Sequence, residues 1–338
     1  MYIENNTLKK YITYWLATMF WFVSFIIIVG GLTRLTDSGL SITQWQLFSG
    51  ILPPLNDIQW NNYFELYKQT SEYKLQNYLM SLEEFKVIFW WEFIHRFLGR
   101  LIGIFFLIPL FFFFLKLGFK QTKNFFIIFI LICIQGFIGW YMVESGLVDR
   151  VDVSHYRLSI HLIIAFIILS LILWNYLIYK EIKLSKHKIK NILPITFLFL
   201  LFLQIIIGAF VSGMDAGKIY NTWPLMGTSY FPDDNSMINL LNISAFDDPS
   251  LVQFIHRNLA YFILFFYFLI LIKVYKNNLS TFFKVINIIG LLLFLQIILG
   301  IVTLLSGTQI IFASMHQISS IFLVSSSIYL LYLNSNTN

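Results

Sequence analysis

Four histidines stand within long apolar stretches, His95, His161, His256 and His316, each near the stretch's beginning. An ionisable side chain in a lipid-buried segment is costly unless it pairs with or ligates something. Around the first of them Glu92, His95, Arg96, Gly99 and Gly103 follow i, i+3, i+4, i+7, i+11 spacing, which puts them on one face of a helix. That face offers an acid, an imidazole, a cation and two small residues where a flat ring can approach the backbone. Arg157 precedes His161 by one turn, Arg257 follows His256, and Gln317 follows His316. Two imidazoles on facing helices can grip the iron of a haem from both sides, with arginines pairing the propionates at the wet end. Zinc is disfavoured, because there is no cysteine cluster, no second His at i+3 or i+4 and no nearby carboxylate quartet. His187, in a Lys-rich loop, reads as solvated surface. His155, in the loop before the fourth apolar run, is not expected to be a ligand, although it is the one alternative to His161.

The elements that must position these groups follow from composition. Of 338 residues, 58% are hydrophobic, 19% aromatic and only 12% charged, too little polar surface for a soluble chain of this size. Runs of about 20 apolar residues, enough to span a bilayer, recur eight times: Ile12–Gly31, Phe93–Leu115, Phe125–Val143, Leu158–Tyr179, Ile192–Val211, Phe254–Ile272, Val285–Leu305 and Ile310–Leu331. The expected fold is an all-α polytopic membrane protein of eight transmembrane helices.

The net charge of +6 is explained by its distribution. Lysines cluster before the first run (Lys9, Lys10) and in alternate connections (Lys116, Lys120, Lys123; Lys180 to Lys190; Lys273, Lys276, Lys284), while Asp and Glu fill the others, Asp149 among them. The positive-inside rule then puts both termini in the cytoplasm and the histidines near the outer, periplasmic face. Nucleic acid is thereby excluded as the reason for the basic charge. The single cysteine, Cys133, allows no intrachain disulfide and reads as a small packing residue. No cleavable signal or Arg-rich transit segment precedes the first run, which favours a bacterial inner membrane over an organelle.

The chain repeats itself. Gly30, Asp37, Gly39, Trp45 and Pro54 recur 178 residues later as Gly208, Asp215, Gly217, Trp223 and Pro232. Phe93-Ile94-His95-Arg96 recurs as Phe254-Ile255-His256-Arg257 at an offset of 161, shared by Gln135, Gly139, Ser145 and Gly146 with Gln296, Gly300, Ser306 and Gly307. His161 matches His316 at 155. The expected organisation is two four-helix bundles, residues 1–180 and 181–338, as parallel repeats, since each half holds an even number of spans. The halves differ at one telling place: Glu92 corresponds to Gln253, and Arg157 to Phe312. A titratable carboxylate serves proton-coupled chemistry, which a one-electron relay does not need. Glu92 is equally open to a simpler role as ion-pair partner of Arg96.

These segments resemble the haem A synthase family, membrane enzymes that convert haem O to haem A for terminal oxidases. The matching stretches are Gly30–Trp45 with Pro53-Pro54, Trp91 to Arg100, Gly136–Leu147, Arg150 to His161, Gly208–Pro224, Gln253–Arg257 and Leu299–Gln317. With no cysteine pair in the first outer loop, the chain looks like the subgroup shared by proteobacteria and mitochondria. The resemblance implies that His256 and His316, with Arg257, hold a resident haem b. It implies that His95 and His161 bracket the haem O substrate, with Arg96, Arg100 and Arg157 around it and Glu92 essential nearby. The C8 methyl of haem O would be oxidised by successive hydroxylations, the geminal diol losing water to leave a formyl group. A haem O synthase as supplier, an electron acceptor and cytochrome oxidase assembly factors are the implied partners, and a homo-oligomer is left open.

Two other classes compete. A di-haem b electron-transfer protein, like a quinol-oxidising cytochrome b, is better served by haems on opposite membrane faces and by symmetric sites. A repeat-built transporter would break a pair of helices at mid-membrane, and Leu131–Ile138 and Leu291–Ile298 look like ordinary helix.

Overall fold

A computed structural model describes residues 6–44, 49–148 and 150–335. Trp45 of the repeated motif and Asp149 of the acidic loops lie outside the described residues. The chain runs α1 (Asn6–Leu35), α2 (Asp57–Tyr67), α3 (Ser71–Leu75), α4 (Leu82–Leu117), α5 (Phe119–Gly146), α6 (His155–Tyr179), α7 (Ile192–Gly213), α8 (Pro249–Lys276), α9 (Ser280–Leu305) and α10 (Ile310–Asn334). Among the described residues, all but α2 and α3 are long and apolar enough to cross a membrane, eight in number. A helix closes its backbone hydrogen bonds within itself, which is what lipid demands. The protein is an all-helical multi-pass membrane protein.

Seven of the eight expected spans gain only a few residues at their ends. The second differs: α4 begins at Leu82, eleven residues before Phe93. Glu83, Glu84 and Lys86 interrupt the apolar run there, but the helix is set by a capping box. Ser81 Oγ accepts from Glu84 N at 3.3 Å, and Ser81 N donates to Glu84 Oε2 at 2.8 Å. The added turns are held by α2, whose Trp60, Phe64 and Tyr67 lie on one face and pack on α4, with Trp60–Phe89 and Tyr67–Phe85 ring centroids 4.9 and 5.1 Å apart. His95 is therefore not near the start of its helix, as expected, but more than three turns inside it. His155, expected in a loop, is the first residue of α6.

Two positions matched in the sequence share one backbone conformation. Past the ends of α1 and α7, Asp37 and Asp215 both adopt left-handed backbone, at φ 46° and 51°. Asp is among the few residues that tolerate this conformation. The chain falls into two compact units, Phe22–Ala165 and Met1–Trp21 with Phe166–Asn338. In the first the aromatic cluster of α2 and the early turns of α4 forms a core that reaches Phe93. In the second, Ile263, Tyr267, Phe282, Ile286 and Ile289 centre a core shared by α8 and α9. The end of α10 is clasped there: Asn334 Oδ1 accepts from Ile189 N at 2.7 Å, and its Nδ2 donates back to Ile189 O at 3.1 Å.

Candidate functional site

Within the unit Phe22–Ala165, α4 and α6 bring His95 and His161 together, ring centroids 6.4 Å apart and planes at 70°. Imidazoles bonded to one metal at about 2 Å each, from opposite sides, place their centroids about 6 Å apart. The pair is thus spaced to hold a single metal between its rings. Each ring also lies against the preceding span. A Cβ on Gly30 of α1 would come within 2.9 Å of His95 Cε1, and one on Gly139 of α5 within 2.9 Å of His161 Cε1.

The other unit repeats this construction. His256 of α8 lies against Gly208 of α7, and His316 of α10 against Gly300 of α9, each with Cε1 3.1 Å from the position a Cβ would take. All four rings are seated on helical glycines at corresponding places. Nδ1 of His95, His161 and His316 is buried with no hydrogen-bond partner. A buried polar atom left this way costs about 1–3 kcal/mol. Each unit therefore holds at least one buried imidazole whose Nδ1 has no protein partner, which suits a metal-bearing ligand such as haem.

Glu92 is 2% exposed and both its oxygens are engaged. Oε1 accepts from Arg96 Nη2 at 2.5 Å, while Oε2 accepts from Ser41 Oγ at 2.7 Å and from Ile42 N at 2.8 Å. Arg96 Nη2 also donates to Ile42 O at 3.0 Å. The carboxylate ties the segment after α1 to the turn of α4 that carries His95. The ion pair anticipated from the sequence is present, and the contacts with Ser41 and Ile42 come in addition. At the corresponding place Gln253 Nε2 and Arg257 Nη2 both donate to Tyr220 O, at 3.1 and 3.0 Å. The neutral amide thus also reaches the loop backbone, but as a donor to a carbonyl, where Glu92 accepts from an N–H.

The arginines divide by environment. Arg96 and Arg100 line a small cleft with Ile42, Tyr63, Phe89 and Phe93. Two guanidiniums on one cleft suit carboxylates, which they can take in bidentate fashion. Arg157, one turn before His161, is turned to α5: its guanidinium lies 4.7 Å over the Tyr141 ring and donates to Ser145 Oγ. Arg257 is held on backbone carbonyls of Tyr220 and Leu225. His155 is six residues before His161, about 120° away around the helix, so the two cannot exchange roles without turning α6. His187 is exposed. Cys133 is also exposed, on the flank of α5.

Ser41, Ile42 and Tyr220 were missed by reading the sequence, since backbone groups and one hydroxyl carry no spacing signal. The seat glycines did stand in the repeated motifs, but nothing in one dimension shows which ring lies on which glycine.

The COX15-CtaA family model, described as cytochrome oxidase assembly protein, matches residues 13–328. A protein of Pelagibacter ubique (strain HTCC1062) bearing the name Heme A synthase is 49% identical over 99% of this chain and 100% of its own length. Proteins with the same name from Rickettsia bellii (strain RML369-C) and Maricaulis maris (strain MCS10) are 41% and 40% identical. They cover 98% and 95% of this chain, and 100% and 95% of their own lengths.

Proposed function

The chain belongs to the COX15-CtaA family of cytochrome oxidase assembly proteins, and we propose from that membership that it is a haem A synthase, oxidising the C8 methyl of haem O to a formyl group by successive hydroxylations. The observation that carries the site assignment is the His95–His161 pair at 6.4 Å, seated on glycines as His256 and His316 are. His95 and His161 hold the haem O iron, and His256 and His316 hold a resident haem b. When bound, the resident haem supplies one-electron redox chemistry.

The chain's own residues do the rest. Arg96 and Arg100 face the cleft where propionates would be anchored, fixing the rotation of the substrate so that one ring methyl is presented. Arg257 serves the corresponding end of the resident haem, and Arg157, held over Tyr141, flanks the substrate pair. Glu92 keeps a carboxylate three residues from His95, where it would serve proton-coupled chemistry on the substrate, and its tie to Ile42 keeps that turn of α4 in place. The asymmetry of Glu92 with Gln253 supports a division into a reacting and a relaying half, residues 1–180 and 181–338.

The lysine pattern supports a bacterial inner membrane with both termini cytoplasmic and the haem sites towards the periplasm. Partners are haem O, a haem O synthase that makes it, an electron acceptor and the oxidase assembly apparatus. The competing reading, a di-haem b electron carrier, is weakened by relatives that carry one enzymatic name and are matched over at least 95% of their length.

The test is extraction of haems from a host supplied with a haem O source, with and without this chain. Haem A present only with the chain is the expected result. Unconverted haem O in both cultures would reject the assignment.

A further inference from the structure

The four histidine seats are built to one plan, with one omission. On α5, α7 and α9 the seat glycine is preceded by glutamine at the fourth position back: Gln135 before Gly139, Gln204 before Gly208, Gln296 before Gly300. A spacing of four brings both residues onto one helix face. In each case the glycine takes the imidazole, and the glutamine Nε2 donates to the same histidine's own carbonyl oxygen. The distances are 2.9 Å for Gln135 to His161 O, 3.1 Å for Gln204 to His256 O and 3.0 Å for Gln296 to His316 O. Two of the three are held further, since Gln204 Nε2 lies 3.2 Å from His256 Nδ1 and Gln296 Oε1 accepts from Ser319 Oγ. Ring and backbone of one histidine are thus fixed together by a single neighbouring helix. On α1 the position four before Gly30 is Ile26, an aliphatic side chain packed towards Gly99 of α4, which makes no such bond.

We infer that the Gln-x-x-x-Gly seat is what fixes an imidazole for lasting ligation, and that Ile26 in its place makes His95 the releasable ligand of the N-terminal pair. This rests on the reading of that pair as the substrate site. A resident group is best gripped by two fixed walls, here His256 and His316. A ligand that arrives as substrate and must leave as product needs one fixed wall, His161, and one that yields. Ile26 and the three glutamines are positioning residues, acting through histidines and not on the reacting atoms.

The experiment uses the purified full chain, loaded with haem b in detergent, and follows transfer of haem to excess apomyoglobin by absorbance. The wild type should release one haem fast and one slowly, with His161→Ala abolishing the fast phase. One hydrogen bond gained or lost is expected to change a rate about tenfold. Ile26→Gln should slow the fast phase by that factor, leaving the slow phase alone. Gln204→Ile should speed the slow phase, or yield protein stripped of its slow haem with the fast one still present. A fast rate within twofold of wild type in haem-replete Ile26→Gln, or an unchanged slow rate in Gln204→Ile, overturns the inference while leaving the function standing. A wild type with no low-spin haem at all sinks the underlying reading instead.

Discussion

Glu92 and Arg96 form a buried ion pair of 2.5 Å, and the same carboxylate accepts the backbone N–H of Ile42. The acid therefore has two jobs that substitutions can separate. Glu92→Gln keeps an oxygen for one donor and removes the charge, giving the residue type that stands at Gln253 in the other half. It should retain the resident low-spin haem and lose haem O conversion by at least about tenfold, the lower range for a positioned acid or base. Full conversion by Glu92→Gln would leave the residue a purely structural role. Glu92→Ala should also be less stable, by about 3 kcal/mol, because it strands the Arg96 charge in the interior.

The glycine seats make a graded prediction. At Gly30 and Gly139 an added Cβ would sit 2.9 Å from an imidazole carbon, closer than such atoms approach, so the ring must move. Gly30→Ala and Gly139→Ala should lower haem O conversion at least about tenfold while leaving the resident haem spectrum intact, with an overpacking cost of about 1–3 kcal/mol. At Gly208 and Gly300 the gap is 3.1 Å. Alanine there should perturb the resident spectrum and the haem content of purified protein, with a smaller loss. Equal haem retention in all four variants would mean that the rings do not depend on these seats.

How far the sequence reveals this arrangement depends on the range of each interaction. Eight helices and four histidines are readable because hydropathy and repeat spacing are local along the chain. Helices α2 and α3 are hidden because polar residues of the outer connection dilute the pattern, although Asn56 before Asp57 and the run Trp60, Phe64, Tyr67 are a helix signal in retrospect. The early start of α4 is masked by Glu83, Glu84 and Lys86, and only the capping box Ser81–Glu84 marks it. The bond from Glu92 to Ile42 spans 50 residues and uses a backbone group, so no side-chain pattern announces it.

The seats separate His161 from His155. His161 is seated on Gly139 with its carbonyl held by Gln135, whereas His155 sits at the first residue of α6 and faces away from the side that carries His161. His256→Ala and His316→Ala should each abolish the low-spin haem signal of the purified protein. His155→Ala should leave both that signal and haem O conversion within about twofold of wild type. Loss of signal in His155→Ala, or its survival in His316→Ala, would reassign the ligands.

A pH dependence should arise from Glu72, at the start of α3 and only 2% exposed. Burial first, then the charges of Glu92, Asp152 and Asp37, push its carboxyl from 4.5 up to about 9, while a hydrogen bond with Tyr67 pulls the other way. Its Oε2 is buried without a hydrogen-bond partner, consistent with a neutral acid. Between about 4.5 and 9 the folded chain keeps a proton that the unfolded chain has released, so stability falls as pH rises through that window and levels off above it. Thermal unfolding of the wild type should therefore move to lower temperature from about pH 5 to about pH 9. Glu72→Gln, neutral at every pH and similar in shape, should remove this contribution and unfold at a higher temperature than the wild type at pH 9. Parallel pH profiles for the two proteins would show that Glu72 is ionised in the folded state.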